Sequence, residues 1–274
     1  MTGRAGIWHD LGPRLISALV MIAVGGAGIW LGGVWLRLVV LVAGAAMMWE
    51  LIRMTHSAWG DPDRGQALIG AGAMAVGLGI ALFFDARLAL LIPVVAAPFV
   101  AGHAAGPALR LTAPLYAAAI AVTAFVITAL REQSGQVEGL AAVGWLIGVV
   151  VASDVMGYLA GRALGGPKFW PSVSPKKTWS GTVAGWVGAA LVGLGFAIAG
   201  LVGWAIVPVS VVVAFAGQMG DIAESAMKRR AGVKDSSNLI PGHGGFLDRF
   251  DAVIGAAMTV YLLSLAGLMP QFGG

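Results

Sequence analysis

The sequence contains no cysteine, so disulfide bonds, thiolate nucleophiles and cysteine-based metal sites are excluded. Charged residues are also scarce, because Asp, Glu, Lys and Arg make up 11% of the 274 residues, against 58% that are hydrophobic. A mean hydropathy of +0.87 lies far outside the composition of soluble domains. The composition therefore predicts a membrane protein. The net charge of +4 does not indicate nucleic acid as a partner, because the basic residues lie beside apolar segments.

Apolar segments long enough to cross a lipid bilayer recur along the whole chain. A transmembrane helix needs about 20 apolar residues, and by that rule we predict an all-α, polytopic integral membrane protein with about nine transmembrane helices. We expect a single membrane domain, 1–274, with N-terminal helices in 1–138 and a catalytic region in 139–274. The predicted spans lie at about residues 15–33, 35–54, 67–84, 88–105, 112–130, 139–161, 181–201, 204–221 and 252–269.

The positions of Lys and Arg predict the orientation. Two basic loops, 162–180 and 222–251, are placed in the cytoplasm by the positive-inside rule. Counting through alternating spans then places all but three of the 17 Lys and Arg residues on that side, the exceptions being Arg37, Arg87 and Arg131. We therefore expect a multi-pass protein of the cytoplasmic (inner) membrane, with catalytic loops on its cytoplasmic face and an extracytoplasmic C-terminus.

The richest polar stretch is Ser225–Asp251, which reads SAMKRRAGVKDSSNLIPGHGGFLDRFD. Cations for phosphates, carboxylates for a divalent metal and glycines that expose backbone N–H groups are the components of a phosphoryl or nucleotidyl transfer site. The alternative is a solvated basic loop that only sets topology, which requires neither the glycines around His243 nor the carboxylates. His243 itself is expected to contact phosphate or carry a proton. The candidate catalytic residues are Asp221, Lys228, Arg229, His243, Asp248 and Asp251.

A second polar constellation begins inside the sixth apolar segment. Asp154, Tyr158 and Gly161 lie on one stripe of a helix, and an intramembrane carboxylate indicates a functional site. The alternative is a structural pair between Asp154 and Arg162 or a neighbouring helix. The basic residues of the two loops are candidate phosphate ligands, with general attraction to anionic lipid as the alternative. These basic residues are Lys176, Lys177 and Lys228 through Arg230.

Carboxylates in both stretches are candidate metal ligands. Magnesium usually takes one or two carboxylates, together with water and substrate phosphates. Asp221 at the end of span eight and Asp248 at the start of span nine are the best placed, and Asp154 is the third candidate. A solvated Asp221 is one alternative, and an Asp251 that only caps the ninth helix is another. We expect Mg²⁺ as the cofactor and leave open whether a monovalent cation assists.

The spaced motif Ser225, Lys228-Arg229, Lys234-Asp235, Pro241, His243-Gly244-Gly245, Asp248-Arg249 and Asp251 resembles the signature of phosphatidate cytidylyltransferases (CDP-diacylglycerol synthases), without a gap or substitution. Tyr158 to Arg162 and Ser174 to Gly181 resemble a second recurrent region of that family. The resemblance implies that CTP and phosphatidate give CDP-diacylglycerol and pyrophosphate, and it suggests a homodimer. The further substrate-binding residues it implies are Tyr158, Arg162, Ser174, Lys176, Lys177, Thr178, Ser225, Lys234, Asp235, Gly244, Gly245 and Arg249.

The implied reaction needs no covalent enzyme intermediate, because the phosphate monoester of the lipid is already an anionic nucleophile. Ser174 and Ser225 are therefore expected to be hydrogen-bonding or helix-end residues. A cytidylyltransferase that acts on a polyprenyl or ether lipid would share this chemistry. A non-enzymatic anion transporter is a further alternative, but it would place charges along several spans near the bilayer midplane. The Asp and Gly spacing of CDP-alcohol phosphotransferases is not found in the sequence.

Overall fold

The computed structural model describes residues 5–56, 64–84, 105–106, 108–133 and 135–273. Within these ranges the chain is nearly all helical, which confirms the predicted class. The helices are α1 (Ala5–Leu31), α2 (Gly33–His56), α3 (Arg64–Phe83), α4 (Thr112–Arg131), α5 (Gln136–Leu164), α6 (Trp179–Ile198), α7 (Ile206–Arg230) and α8 (Leu247–Leu265). In the described part, α1 to α7 are long and apolar enough to cross a membrane. The predicted span 88–105 lies outside the described residues except for its last one, so the count of nine stays a prediction.

Two helices extend beyond their apolar segments. α7 continues through the polar residues to Arg230, so Asp221, Ser225 and Lys228, spaced i, i+4 and i+7, share one helix. α8 begins at Leu247, upstream of the predicted apolar stretch, and so includes Asp248 and Asp251. Hydropathy locates only the apolar part of a helix, whereas the backbone hydrogen bonds continue into polar sequence where side chains and water cover its surface.

The loop between α5 and α6 contains a short antiparallel hairpin, which the all-α prediction did not include. Strand β1 (Lys168–Trp170) pairs with β2 (Ser174–Thr178). Thr178 then caps α6, because its side chain accepts a hydrogen bond from the backbone N–H of Gly181 at 3.2 Å. Ser180 Oγ donates to the carbonyl oxygen of Gly165 at 2.5 Å, across the base of the loop. The basic loop 162–180 is thus a folded element.

The chain forms two compact units, each made of two chain segments. The first unit comprises 1–121 and 230–249, and the second comprises 122–229 and 250–274. In the first unit α1 packs on α2 and α2 packs on α3. The predicted division at residue 138 stays a prediction, but the loop 230–249 groups with the N-terminal helices.

In the second unit, α6 packs against α5 through glycines. A methyl group added at Gly185 would lie 2.8 Å from Ser153 Oγ, and one at Gly188 would lie 3.0 Å from the carbonyl oxygen of Ala152. Such close backbone approach is typical of helix packing in lipid, where small residues form the contact. At Gly195, by contrast, no described residue lies within 4 Å of an added methyl group, so this glycine is not required for packing among the described residues.

A buried polar cluster joins α5, α6 and α7 of the second unit around Gln218. Its Nε2 donates to Ser153 Oγ at 3.1 Å and to the carbonyl oxygen of Thr182 at 3.2 Å. Its Oε1 accepts from Trp186 Nε1 at 3.1 Å. A buried amide is costly unless its donors and acceptor are satisfied. The cluster therefore fixes the register of α7 one turn before Asp221.

Candidate active site

In the second unit, the hairpin folds back onto α7. Lys177 Nζ lies 2.5 Å from Oδ2 of Asp221 and donates to the carbonyl oxygen of Gln218 at 3.3 Å. Ser225 Oγ, one turn along α7, donates to Oδ1 of Asp221 at 3.3 Å. The structure thereby brings together residues from the basic loop 162–180 and the polar end of α7, which lie 44 positions apart for Lys177 and Asp221.

Three carboxylates of the second unit are near one another. Asp154, Asp221 and Asp251 interact electrostatically, and Lys177 is close enough to act on Asp154. Asp251 precedes the apolar stretch of α8, and burial raises the pKa of its carboxyl to about 7. The carboxylate of Asp221 raises that pKa as well, whereas the ammonium of Lys228 lowers it. Crowded negative charge of this kind favours a bound cation.

The donor set is compatible with magnesium. No group of three or more His, Asp or Glu with metal-binding geometry exists among the described residues. Magnesium does not require one, because it usually takes one or two carboxylates and completes its shell with water and substrate phosphates. Asp221 and Asp251 supply such a pair within one unit. The predicted pair of Asp221 and Asp248 combines residues of two units and stays a prediction.

The predicted cations differ in their surroundings. Lys228 forms an ion pair with Glu224, a fully buried carboxylate one turn earlier on α7. Lys176 and Arg229 of the second unit and Lys234 and Arg249 of the first unit are exposed. Arg162 Nη1 donates to the hydroxyl of Tyr158 at 2.9 Å on the exposed side of α5.

In the first unit, Asp248 fastens the signature loop, by which we mean residues 236–247. Its Oδ2 accepts hydrogen bonds from the backbone N–H of Gly245 at 2.8 Å, from Ser236 Oγ at 2.9 Å and from the backbone N–H of Ser236 at 3.0 Å. Gly244 has φ +87°, a conformation that favours glycine, and a methyl group there would lie 3.0 Å from Asp248 Oδ2. Gly245 is predicted to bind substrate, but its backbone N–H donates a hydrogen bond to Asp248 in this structure.

A second carboxylate that contacts this loop is Glu50 of α2, which the sequence alone does not indicate as a site residue. Glu50 is fully buried. Its Oε1 accepts from Ser237 Oγ at 2.5 Å and from the N–H of Phe246 at 2.9 Å, and its Oε2 accepts from the N–H of Leu247 at 2.7 Å. The only signal in the sequence is an acidic residue near the end of an apolar segment. Its partners, nearly 200 residues away, carry no such signal.

His243 is held by the first helix. Its Nδ1 lies 2.7 Å from Ser17 Oγ, and Ser17 Oγ is also 3.0 Å from the carbonyl oxygen of Pro241. If the Ser17 hydroxyl donates to Pro241, it accepts from a protonated Nδ1, which leaves Nε2 as the acceptor nitrogen. Arg249 donates from Nε and Nη2 to the His243 carbonyl oxygen at 3.0 and 2.6 Å. Ser17 of α1 and Glu50 of α2 therefore both contact the signature loop.

The other predicted site residues have local structural contacts or lie at the surface. Thr178 is buried as the cap of α6, and Ser174 is half-buried at the start of β2. Asp235 is exposed, and its Cβ lies 3.8 Å from a methyl group built on Gly244. Asp154 is also exposed within the chain, although it lies on a membrane-spanning helix. A carboxylate in that position needs a polar neighbour, which the Lys177 ammonium provides.

The helices and the charged helix ends define a polytopic membrane protein with candidate sites for anionic substrates. The chain belongs to the cytidylyltransferase family, whose sequence model matches residues 12–266. A relative from Brucella abortus biovar 1 (strain 9-941), named phosphatidate cytidylyltransferase, is 34% identical over 261 residues, covering 92% of this chain and 93% of the relative. A protein of the same name from Staphylococcus saprophyticus is 40% identical over 118 residues, which are 42% of this chain and 45% of that relative.

Proposed function

We propose that this chain transfers the cytidylyl group of CTP to phosphatidate, giving CDP-diacylglycerol and pyrophosphate. Membership of the cytidylyltransferase family supports a nucleotidyl transfer from CTP. The name of the Brucella relatives, which align over nearly the whole chain, supports phosphatidate as the acceptor. The observation that carries the proposal is the contact of Lys177 with Asp221, because it joins a cation and a crowded group of carboxylates beside a polar helix end.

The reaction is an in-line displacement at phosphorus. A phosphate oxygen of phosphatidate forms a bond to the α-phosphorus of CTP while the bond from that phosphorus to the bridging oxygen breaks, and pyrophosphate leaves with the electron pair. No proton has to be removed from the nucleophile. The protein must neutralise two polyanions and hold them in line. Lys177 and Lys228 are the cations adjacent to the carboxylates, and the exposed Lys176 and Arg229 extend the positive surface.

Mg²⁺ is the proposed cofactor. When bound, it supplies charge neutralisation on the phosphate oxygens of CTP. Asp221 and Asp251 would hold it, with Asp154 near them in the same unit. Lys177, which pairs with Asp221 in this structure, would be the cation available to a phosphate oxygen of CTP. An additional monovalent cation would also neutralise negative charge on the phosphate oxygens of CTP.

We further propose that the site faces the cytoplasm and that the protein works as a homodimer in the cytoplasmic membrane. The orientation rests on the distribution of Lys and Arg, and CTP is a cytoplasmic nucleotide. The dimer rests on the family resemblance alone.

The test is pyrophosphate release from CTP by the purified protein in detergent micelles. We expect release to require both phosphatidate and Mg²⁺, with formation of CDP-diacylglycerol in equal amount. Asp221→Asn protein purified in parallel controls for a contaminating activity. Turnover of a polyprenyl phosphate without turnover of phosphatidate would replace the proposed acceptor. A protein that binds CTP or phosphate but never releases pyrophosphate would contradict the enzymatic function.

A further inference from the structure

We propose that Glu50 is a positioning residue for the reaction, because its buried carboxylate holds both ends of the signature loop and thereby places Asp248 and His243. The inference deepens the proposed function and rests on it. It concerns a residue of α2, in the part of the chain where the sequence predicts only membrane helices. All the contacts that carry it lie within the first unit.

The contacts of Glu50 join the two ends of the loop. Ser236 and Ser237 form its beginning, and Phe246 and Leu247 form its end. Ser237 Oγ donates at 2.5 Å and Ser236 Oγ lies at 3.4 Å, while the N–H groups of Phe246 and Leu247 donate at 2.9 and 2.7 Å. Phe246 and Leu247 are also the entry to α8, whose first N–H groups need acceptors. Glu50 thus acts as the helix cap that the local sequence does not provide.

Three consecutive backbone N–H groups of the loop donate hydrogen bonds to either Glu50 or Asp248. Gly245 donates to Asp248, whereas Phe246 and Leu247 donate to Glu50. Ser236 Oγ has one proton and lies near both carboxylates, 2.9 Å from Asp248 and 3.4 Å from Glu50. A movement of either carboxylate therefore changes the donors available to the other. This shared set of donors couples α2 to the orientation of Asp248.

The carboxylate is costly to bury, which argues for a role beyond packing. A charged group buried in apolar surroundings is tolerated only when hydrogen bonds satisfy it. Replacing it with an apolar side chain of similar size often leaves the folded protein equally stable. Here the four donors come from one loop, which also contains His243. Space at the contact is limited, because a methyl group on Gly245 would lie 2.7 Å from Glu50 Oε1. The position of the Glu50 carboxylate therefore determines the position of the loop.

The first test needs no substrate. Hydrogen–deuterium exchange of the purified full chain in micelles compares wild type with Glu50→Gln in peptides that cover 236–250. The variant keeps the size of the side chain but replaces one acceptor oxygen with an amide donor. We therefore expect faster exchange at Phe246 and Leu247 and unchanged exchange in α6. Glu132→Gln, the same change at an exposed position after α4, is the matched control and should behave like wild type.

The second test is steady-state kinetics with CTP, phosphatidate and Mg²⁺. We expect Glu50→Gln to lower kcat at least about tenfold while the KM values for CTP and phosphatidate stay within about threefold, because a misplaced loop still admits substrate. Ser237→Ala removes one donor and should lower kcat less. Since both variants act on one contact, the loss in the double variant should be smaller than the product of the single losses.

The outcomes separate positioning from general stability. Local loss of protection together with a loss of kcat supports the proposal. Faster exchange throughout α2 and α3, or a normal kcat despite a loosened loop, would overturn it. If Glu50→Gln does not fold, hydrogen–deuterium exchange and steady-state kinetics are measured on Ser237→Ala instead. A wild-type protein that makes no CDP-diacylglycerol would defeat the proposed function, whereas the exchange experiment would still decide whether Glu50 holds the loop.

Discussion

Lys177 Nζ lies 2.5 Å from Oδ2 of Asp221, so a cation of the β1–β2 hairpin neutralises a carboxylate on α7. Exposed ion pairs contribute little to stability, and both side chains are partly exposed. The pair therefore costs little to open. A triphosphate offers the ammonium more negative charge than one carboxylate does, so substrate binding can exchange the partner of Lys177.

This exchange predicts the effect of Lys177→Met. We expect the KM for CTP to rise at least about tenfold, which corresponds to roughly 1.4 kcal/mol, with a smaller effect on kcat. Initial rates at varied CTP concentration measure it. Lys168→Met removes the same charge from an exposed position on the same hairpin and should change KM by less than about twofold. Equal effects of the two substitutions would indicate general attraction instead of a specific contact.

Asparagine substitutions test the metal ligands. Asp221→Asn and Asp248→Asn keep the shape of the side chain but remove its charge, and we expect each to lower turnover by at least about a hundredfold, roughly 2.7 kcal/mol. Because α8 begins at Leu247, Asp251 is not at the helix cap, and we expect Asp251→Asn to cause a comparable loss. Turnover at several magnesium concentrations is the measurement. Near wild-type turnover in any one variant removes that residue from the metal site.

The packing of the signature loop predicts a contrast between two glycines. A methyl group on Gly245 would overlap Ser236 Oγ and crowd the Glu50 carboxylate, whereas one on Gly195 would meet no atom of the described residues within 4 Å. We expect Gly245→Ala to lower the melting temperature in detergent and to abolish most activity. Gly195→Ala should be neutral or slightly stabilising, because alanine favours a helix by about 0.5–1 kcal/mol over glycine. A harmless Gly245→Ala would contradict the described packing.

The charge distribution predicts the topology. A reporter fused after Gly274 should report the extracytoplasmic side, and one inserted near Gly166 should report the cytoplasm. Enzyme reporters that are active on only one side of the membrane make the measurement. A reporter fused in the loop 56–66 should agree with the one at Gly166. Finding the Gly274 and Gly166 reporters on the same side would contradict the count of nine spans.

Local sequence patterns predict much of this fold and only part of the site. The apolar runs located α1 to α7, and Asp221, Ser225 and Lys228 have the i, i+4 and i+7 spacing of one helix face. The predicted spans 204–221 and 252–269 do not include the polar end of α7 or the start of α8, because hydropathy does not report helix ends. Glu50 and Ser17 were missed for a different reason. Their partners are distant in sequence, and a single acidic or hydroxyl residue does not indicate which loop it contacts.

The first unit is made of two chain segments that are far apart in sequence, which has a consequence for synthesis at the ribosome. Glu50 and the amide of Leu247 are 197 residues apart, so at about 5–20 residues per second α2 emerges roughly ten to forty seconds before its loop. During that interval the Glu50 carboxylate lacks those donors, and a bare carboxylate in hydrocarbon is costly. We therefore expect the end of α2 to stay at the water interface until the loop that contains Leu247 has been synthesised.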